Sequence, residues 1–196
     1  MRRDSDMKKV VKFGGSSLAS ARQFKKVGDI IRADKTRRFV IPSAPGKRNS
    51  KDTKVTDMLY ECYGLAEAGK SYKTKLAAIA DRYREIIEGL GLNLSLEQEF
   101  AVIEKNFKGR AGSNYAASRG EYLNGIIMAA YLGCTFIDAA EVIFFREDGS
   151  LDEERTDATL SARLKECDMA VIPGFYGAMP DGSVKTFSRG GSDITG

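Results

Sequence analysis

Short apolar runs alternate along this chain with longer stretches in which apolar residues return every third or fourth position. The runs predict strands and the stretches predict amphipathic helices. Val10, Val11 and Phe13 form the first run, expected as a buried parallel strand. Phe24, Val27, Ile30 and Ile31 follow at helical spacing, with Ser20 and Gln23 placed as a capping box. Residues 38–42 predict a second strand, and 47–54, polar and basic without periodicity, a mobile loop over an edge of the sheet. Thr56 and Asp57 then open a helix whose inward positions are Met58, Leu59, Cys62 and Leu65. Leu76, Ile79, Tyr83, Ile86 and Leu90 mark a second, ended by Gly89 and Gly91, and Leu96, Phe100, Ile103 and Phe107 a third. These three, spanning about 55–110, are expected as a helical flap on one side of the sheet.

Residues 114–132 are apolar nearly all round, which predicts a helix buried in a larger core. Residues 134–138 predict a third strand, 142–145 a short further one, 158–165 a helix and 169–174 another strand. The turn Met179-Pro180-Asp181-Gly182 joins two extended runs between Tyr176 and Phe187 into a hairpin. Strands alternating with helices give an open, mainly parallel α/β sheet with ligands at the carboxyl ends of its strands. Lys12, Ser43 and Gly174 all fall at such ends.

At 196 residues the chain suits one domain. A hydrophobic content of 42% beside 30% charged residues is that of an ordinary soluble protein. The net charge of +4 is spread along the chain, which argues for acidic small molecules rather than nucleic acid. No window is apolar enough to span a membrane, and the first residues lack the apolar core of a signal peptide, so the expected location is the cytoplasm. Cys62, Cys134 and Cys167 lie far apart without metal-site spacing and are expected as reduced, mostly buried thiols. The chain contains no histidine. That excludes Ser-His-Asp and Cys-His nucleophiles and any histidine-bearing zinc site. Lys, Arg, Asp, Glu and backbone amides remain, and phosphoryl transfer asks for little else, because it rests on positioning and charge neutralisation.

Lys12-Phe13-Gly14-Gly15-Ser16-Ser17 stands where the first strand gives way to the first helix. A glycine pair there lets backbone amides approach an anion, and Lys12 adds a full charge; the plainer reading is a tight turn with a solvent-facing lysine. A second glycine pair, Arg189-Gly190-Gly191-Ser192-Asp193, carries an arginine fork suited to a carboxylate and amides suited to a phosphate. Ser118-Arg119-Gly120-Glu121 puts two charges near the head of the buried helix, either as a structural ion pair or as a site in which Gly120 opens space. Gly64-Leu65-Ala66-Glu67-Ala68-Gly69-Lys70-Ser71 matches the P-loop pattern literally. Its interior consists of good helix formers, Glu67 would repel phosphates, and Gly69 followed by Lys70 reads as a helix end.

Taken together, the motifs at 12–17, 118–121 and 189–193, with Gly174-Phe175-Tyr176-Gly177 and Thr56-Asp57, resemble the aspartate kinases of the amino-acid kinase family. The resemblance covers nearly the whole chain. It implies a three-layer α/β/α sandwich and transfer of the ATP γ-phosphate to the side-chain carboxylate of L-aspartate, giving 4-phospho-L-aspartate. This reaction opens lysine, threonine and methionine biosynthesis, with ATP as co-substrate together with Mg²⁺ and no metal site built by the protein. By the resemblance, Lys12 contacts the transferring phosphate, and Gly14, Gly15, Ser16, Gly190 and Gly191 bind phosphate. Arg189 forks the substrate α-carboxylate, Glu121 meets its amino group, Ser43, Thr56 and Ser192 line the same pocket, and Asp193 orients the active-site charges. It further implies a homo-oligomeric parent with no nucleic-acid or membrane partner. The chain is then the amino-terminal, aspartate-binding part of a longer subunit, without the nucleotide-binding half and the ACT regulatory domains, and is expected to be inactive alone. A non-catalytic aspartate-binding or dimer-forming domain is the alternative.

Overall fold

In the computed structural model, which describes residues 7–187, the chain alternates strand and helix from its first element. Strand β1 (Lys9–Phe13) leads through a 3₁₀ turn (Gly15–Leu18) into α1 (Ala21–Arg32) and back into β2 (Arg37–Pro42). Four helices follow: α2 (Val55–Glu67), α3 (Lys73–Leu90), α4 (Glu97–Lys108) and α5 (Ser113–Leu132). The remainder comprises β3 (Thr135–Phe136), α6 (Ala139–Val142), α7 (Glu153–Lys165), β4 (Ala170–Val171) and the hairpin β5 (Tyr176–Ala178) with β6 (Val184–Thr186). The first four strands pair in parallel in the order β1-β2-β4-β3, while β5 and β6 pair antiparallel as a separate ribbon. Every connection between the parallel strands carries at least one helix, as parallel pairing requires.

Successive side chains of the central strands point to opposite faces, and both faces are covered. Val40 and Val171 enter a core built with Phe24, Leu59, Ile79, Ile103 and Leu123 from α1 to α5. Their neighbours Phe39, Ala170 and Ile172 enter a second core with Ile137, Val142, Ile143 and Tyr176, against which Leu160 and Leu164 of α7 pack. Helices on both faces of a mainly parallel sheet make the expected three-layer α/β arrangement. Helices fill the 55–110 segment as α2 to α4, and β5 and β6 form the hairpin between Tyr176 and Phe187.

Several local expectations fail for identifiable reasons. β1 is parallel but not buried: Val10 is 46% exposed and Lys9 and Lys12 face outward, because among the described residues β1 pairs with β2 alone. Ser20 occupies the N-cap of α1, but its side chain makes no cap bond; its carbonyl accepts the Phe24 amide instead. Residues 142–145 are not a strand. The Asp138 carboxylate accepts the Ala140 amide at 3.0 Å and starts α6, which ends at Val142, leaving only isolated bridges at Phe144 and Phe145. α7 starts earlier than its apolar pattern suggests, because Asp152 caps it and Glu153 and Glu154 fill its first turn. Among the thiols only Cys62 is buried; Cys134 and Cys167 are half-buried, and all three are free.

The P-loop alternative is overturned. Gly64 to Glu67 lie inside α2, and Gly69 turns left-handed at φ +67° just beyond it. The Gly69 and Lys70 amides fold back to the Ala66 and Leu65 carbonyls at 3.0 and 2.8 Å. This is a closed helix end, with no amides free to cradle a phosphate. Among the described residues no helix is long and apolar enough to cross a membrane.

Candidate active site

The carboxyl ends of β1 and β2 carry loops that are fastened to one another. The Ser43 amide donates to the Phe13 carbonyl at 3.0 Å, and the Gly46 amide to the Gly15 carbonyl at 2.8 Å. The two glycines of the first motif serve different needs. A Cβ on Gly15 would stand 2.7 Å from the Ala44 carbonyl oxygen, so only glycine admits the second loop. A Cβ on Gly14 would meet nothing within 4 Å among the described residues, so its flank is open there for a ligand. Lys12, exposed on β1 beside Ile41, and Ser16, exposed in the 3₁₀ turn, border that opening in sequence.

Behind the loops runs α5. Gly120 does not open space, as its sequence context suggests; it closes it. A Cβ there would lie 2.7 Å from the Ala44 Cβ and 3.7 Å from Thr56 Oγ1, so the missing side chain lets α5, the Ser43–Gly46 loop and α2 meet. The Gly120 carbonyl accepts the buried Tyr83 hydroxyl at 2.7 Å. Next to it Glu121 is 7% exposed, and its Oε2 has no hydrogen-bond partner among the described residues. Burial raises its carboxyl to about 7, while the Ala44 amide, its own amide and the Arg119 charge pull it back. The structure thus brings Ser43, Thr56 and Glu121 together around Ala44, with Gly14 and Gly15 on the far side of the same loop.

Arg119 points elsewhere. Its guanidinium lies over the rings of Tyr122, Tyr115 and Tyr176 at 4.3, 4.7 and 5.3 Å, and its Nε donates to Ser118 Oγ at 3.1 Å. The helix-head ion pair with Glu121 is therefore not what holds it; a cage of aromatic faces is. Tyr176 in turn donates to Asp138 at 2.7 Å, tying the hairpin to the end of β3. Phe175, just before it, has φ +83°, an unfavourable conformation for a side chain of this size.

The 47–54 loop is strapped down rather than loose. Buried Arg82 on α3 donates to the Thr53 carbonyl at 2.6 Å and to the Gly46 carbonyl, and pairs with Asp52 at 3.1 Å. Arg48 bridges Asp52 and Glu85 at 3.0 and 2.9 Å.

Sequence reasoning missed two residues here. Asn124 is fully buried and donates to the Ser43 carbonyl at 2.6 Å; its position three residues after Glu121 was the available signal. Arg82 is one of several charged residues along α3, and only the loop it meets distinguishes it. Arg189, Gly190, Gly191, Ser192 and Asp193 lie outside the described residues. A groove of about 620 Å³ between α3 and α4, floored by Leu76, Tyr83, Ile87 and Phe100, shares no residue with the strand-end loops.

Comparison with known proteins bears on this arrangement. The family model described as "Amino acid kinase family" matches residues 7–196. Aspartokinase 3 of Bacillus subtilis is 37% identical over 202 residues, an overlap covering 96% of this chain and 44% of that protein. Aspartokinase 1, chloroplastic, of Arabidopsis thaliana is 30% identical over 210 residues, covering 95% of this chain and 36% of that one. The crystal structure of Clostridium acetobutylicum aspartate kinase superposes with a TM-score of 0.92 at 50% identity, covering 95% of this chain and 43% of the other. Aspartokinase III of E. coli, solved in complex with aspartate and ADP, superposes with a TM-score of 0.78 at 24% identity over 95% of this chain and 44% of that one, a likeness of fold. The chain spans less than half the length of these relatives.

Proposed function

Because this chain belongs to the amino acid kinase family, we propose that it supplies the aspartate-binding part of an aspartate kinase, which phosphorylates the side-chain carboxylate of L-aspartate from ATP. One observation carries the reading beyond family likeness. Glu121 is a buried carboxyl with an oxygen that no donor among the described residues reaches, set at the carboxyl ends of a parallel sheet beside an open glycine loop. A ligand bearing an ammonium group would satisfy that oxygen.

In this reading Glu121 takes the amino group of aspartate, Ser43, Thr56 and Ser192 line its pocket, and Arg189 forks its α-carboxylate. The amides of Gly14, Gly15, Ser16, Gly190 and Gly191 face the nucleotide phosphates. The attacking oxygen belongs to a carboxylate that is already ionised, so no general base is needed, which suits a chain without histidine. That oxygen forms a bond to the γ-phosphorus as the bond to the β,γ-bridging oxygen breaks, and ADP leaves with the electron pair. Lys12 neutralises charge on the transferring group, and Asp193 orients the charged side chains. Among the described residues no three His, Cys, Asp or Glu side chains gather to hold a metal. Mg²⁺ enters this reading with the nucleotide phosphates, and no step here passes through it. A cytoplasmic, homo-oligomeric parent completes the proposal.

Calorimetric titration of L-aspartate into the chain and into Glu121→Ala and Arg189→Ala tests the reading. Each substitution leaves one substrate charge unpaired and is expected to weaken binding by roughly 2–5 kcal/mol. Arg189→Lys is expected not to restore it, because an ammonium cannot reproduce the two-pronged fork. Unchanged affinity in both alanine variants would take these residues out of the site.

A further inference from the structure

Glu121 is not the only side chain on its face of α5 with an unsatisfied oxygen. Asn124 follows three residues later, so the two side chains are neighbours on the helix surface. Asn124 Nδ2 donates to the Ser43 carbonyl at 2.6 Å. A carbonyl oxygen can only accept, which fixes the orientation of the amide and leaves Oδ1 as an acceptor. That Oδ1 is buried and has no donor among the described residues, and neither has Glu121 Oε2. The nearby hydroxyl of Tyr83 is committed to the Gly120 carbonyl.

Two buried acceptors about one helical turn apart, both without donors among the described residues, cost free energy while they stay unpaired. They are complementary to one kind of group, a cation with several N–H donors that can reach both at once. An alkylammonium offers three donors and a charge opposite to that of the carboxylate. A hydroxyl offers one donor and would leave the second acceptor unpaired.

We propose that Asn124 Oδ1 and Glu121 Oε2 together form an ammonium pocket, in which Asn124 is a specificity-determining residue for the amino group of the substrate. This rests on the aspartate-binding reading and adds to it the second acceptor and the reason for selecting an amino acid over the corresponding diacid. Asn124 acts on both sides of its amide. Nδ2 holds the Ser43 backbone, and so the loop against α5, while Oδ1 faces the ligand.

The test compares L-aspartate with succinate, which has the same two carboxylates and no amino group. Both are titrated calorimetrically into the unaltered chain, into Asn124→Leu and into Asn124→Ala; the smaller variant carries the test if the larger does not fold. The unaltered chain is expected to bind aspartate more tightly than succinate. Both variants are expected to lose about tenfold more affinity for aspartate than for succinate, because the loss of the Ser43 contact falls on both ligands and the loss of Oδ1 on aspartate alone. An equal loss for the two ligands would mean that Asn124 only holds the Ser43 loop, and would overturn the inference. Undiminished aspartate binding in the variants would mean that a trapped water satisfies the pair, and would overturn it as well. Failure of the unaltered chain to bind aspartate would instead remove the functional reading, and the inference with it.

Discussion

Gly46 and Gly15 meet backbone to backbone. The Gly46 amide donates to the Gly15 carbonyl, and a Cβ on Gly46 would stand 2.6 Å from the Gly15 carbonyl carbon. Gly46→Ala therefore forces the two strand-end loops apart and is expected to cost about 1–3 kcal/mol of stability, read from the urea midpoint. Gly14→Ala has room, and its φ of −73° suits alanine. It is expected to leave stability within about 0.5 kcal/mol while weakening nucleotide binding, because the new methyl occupies the open flank. Loss of stability in Gly14→Ala would remove that glycine from the phosphate site.

Glu121 makes stability depend on pH. Burial raises its folded-state carboxyl from 4.5 to about 7, so the folded chain holds a proton that the unfolded chain releases. Stability is then expected to fall as pH rises from about 4.5 to about 7, by up to the order of 3 kcal/mol, and to level off above. Aspartate affinity should run the other way, weakening below pH ~7 by up to tenfold per unit as the carboxylate is lost. Glu121→Gln should flatten both profiles. A wild-type denaturation profile already flat between pH 5 and 7 would show that Glu121 is ionised throughout.

Lys12→Ala is expected to abolish turnover in a subunit that carries the rest of the kinase, with aspartate binding nearly intact. The loss of a preorganised cation at the transferring phosphate is worth on the order of 3 kcal/mol or more. Lys70→Ala, beyond the closed end of α2, is expected to be silent in the same assay. The reverse pattern would return the phosphate site to residues 64–71.

Arg82 holds the Gly46 and Thr53 carbonyls and the Asp52 carboxylate from one buried position. Arg82→Met removes the donors, leaves the Gly46 and Thr53 carbonyls unpaired and Asp52 with Arg48 alone, at an expected cost of about 3 kcal/mol in urea denaturation. Arg82→Lys should recover only part of this, since an ammonium lacks the span of a guanidinium. Full recovery would reduce the contact to simple charge.

The fold was readable where periodicity meets burial. The stripes Leu59–Cys62, Ile79–Tyr83 and Ile103–Phe107 are buried as their spacing predicts. Reading failed where a local polar contact decides. The Asp138 cap turned an apolar run into a helical turn, and Arg82 tied down a loop whose own residues show no pattern. The site was legible in part for the same reason. Glu121 and the glycine pair stand out by type and order, whereas Asn124 is marked only by what lies opposite it, the Ser43 carbonyl 81 positions away. Gly120 misled because a glycine in a helix signals either room or contact, and only the Ala44 side chain settles which.

β2 and β4 are the wall shared by both hydrophobic cores, with Val40 and Val171 facing one side and Phe39 and Ala170 the other. Neither core can open around these strands without undoing the other. Amide protons along this wall, such as Ile172 bonded to the Val40 carbonyl at 3.0 Å, can therefore exchange with solvent only when the whole sheet comes apart. α7, in which Thr156 alone is buried, can fray without that event, so the sheet separates a slow interior clock from a faster outer one.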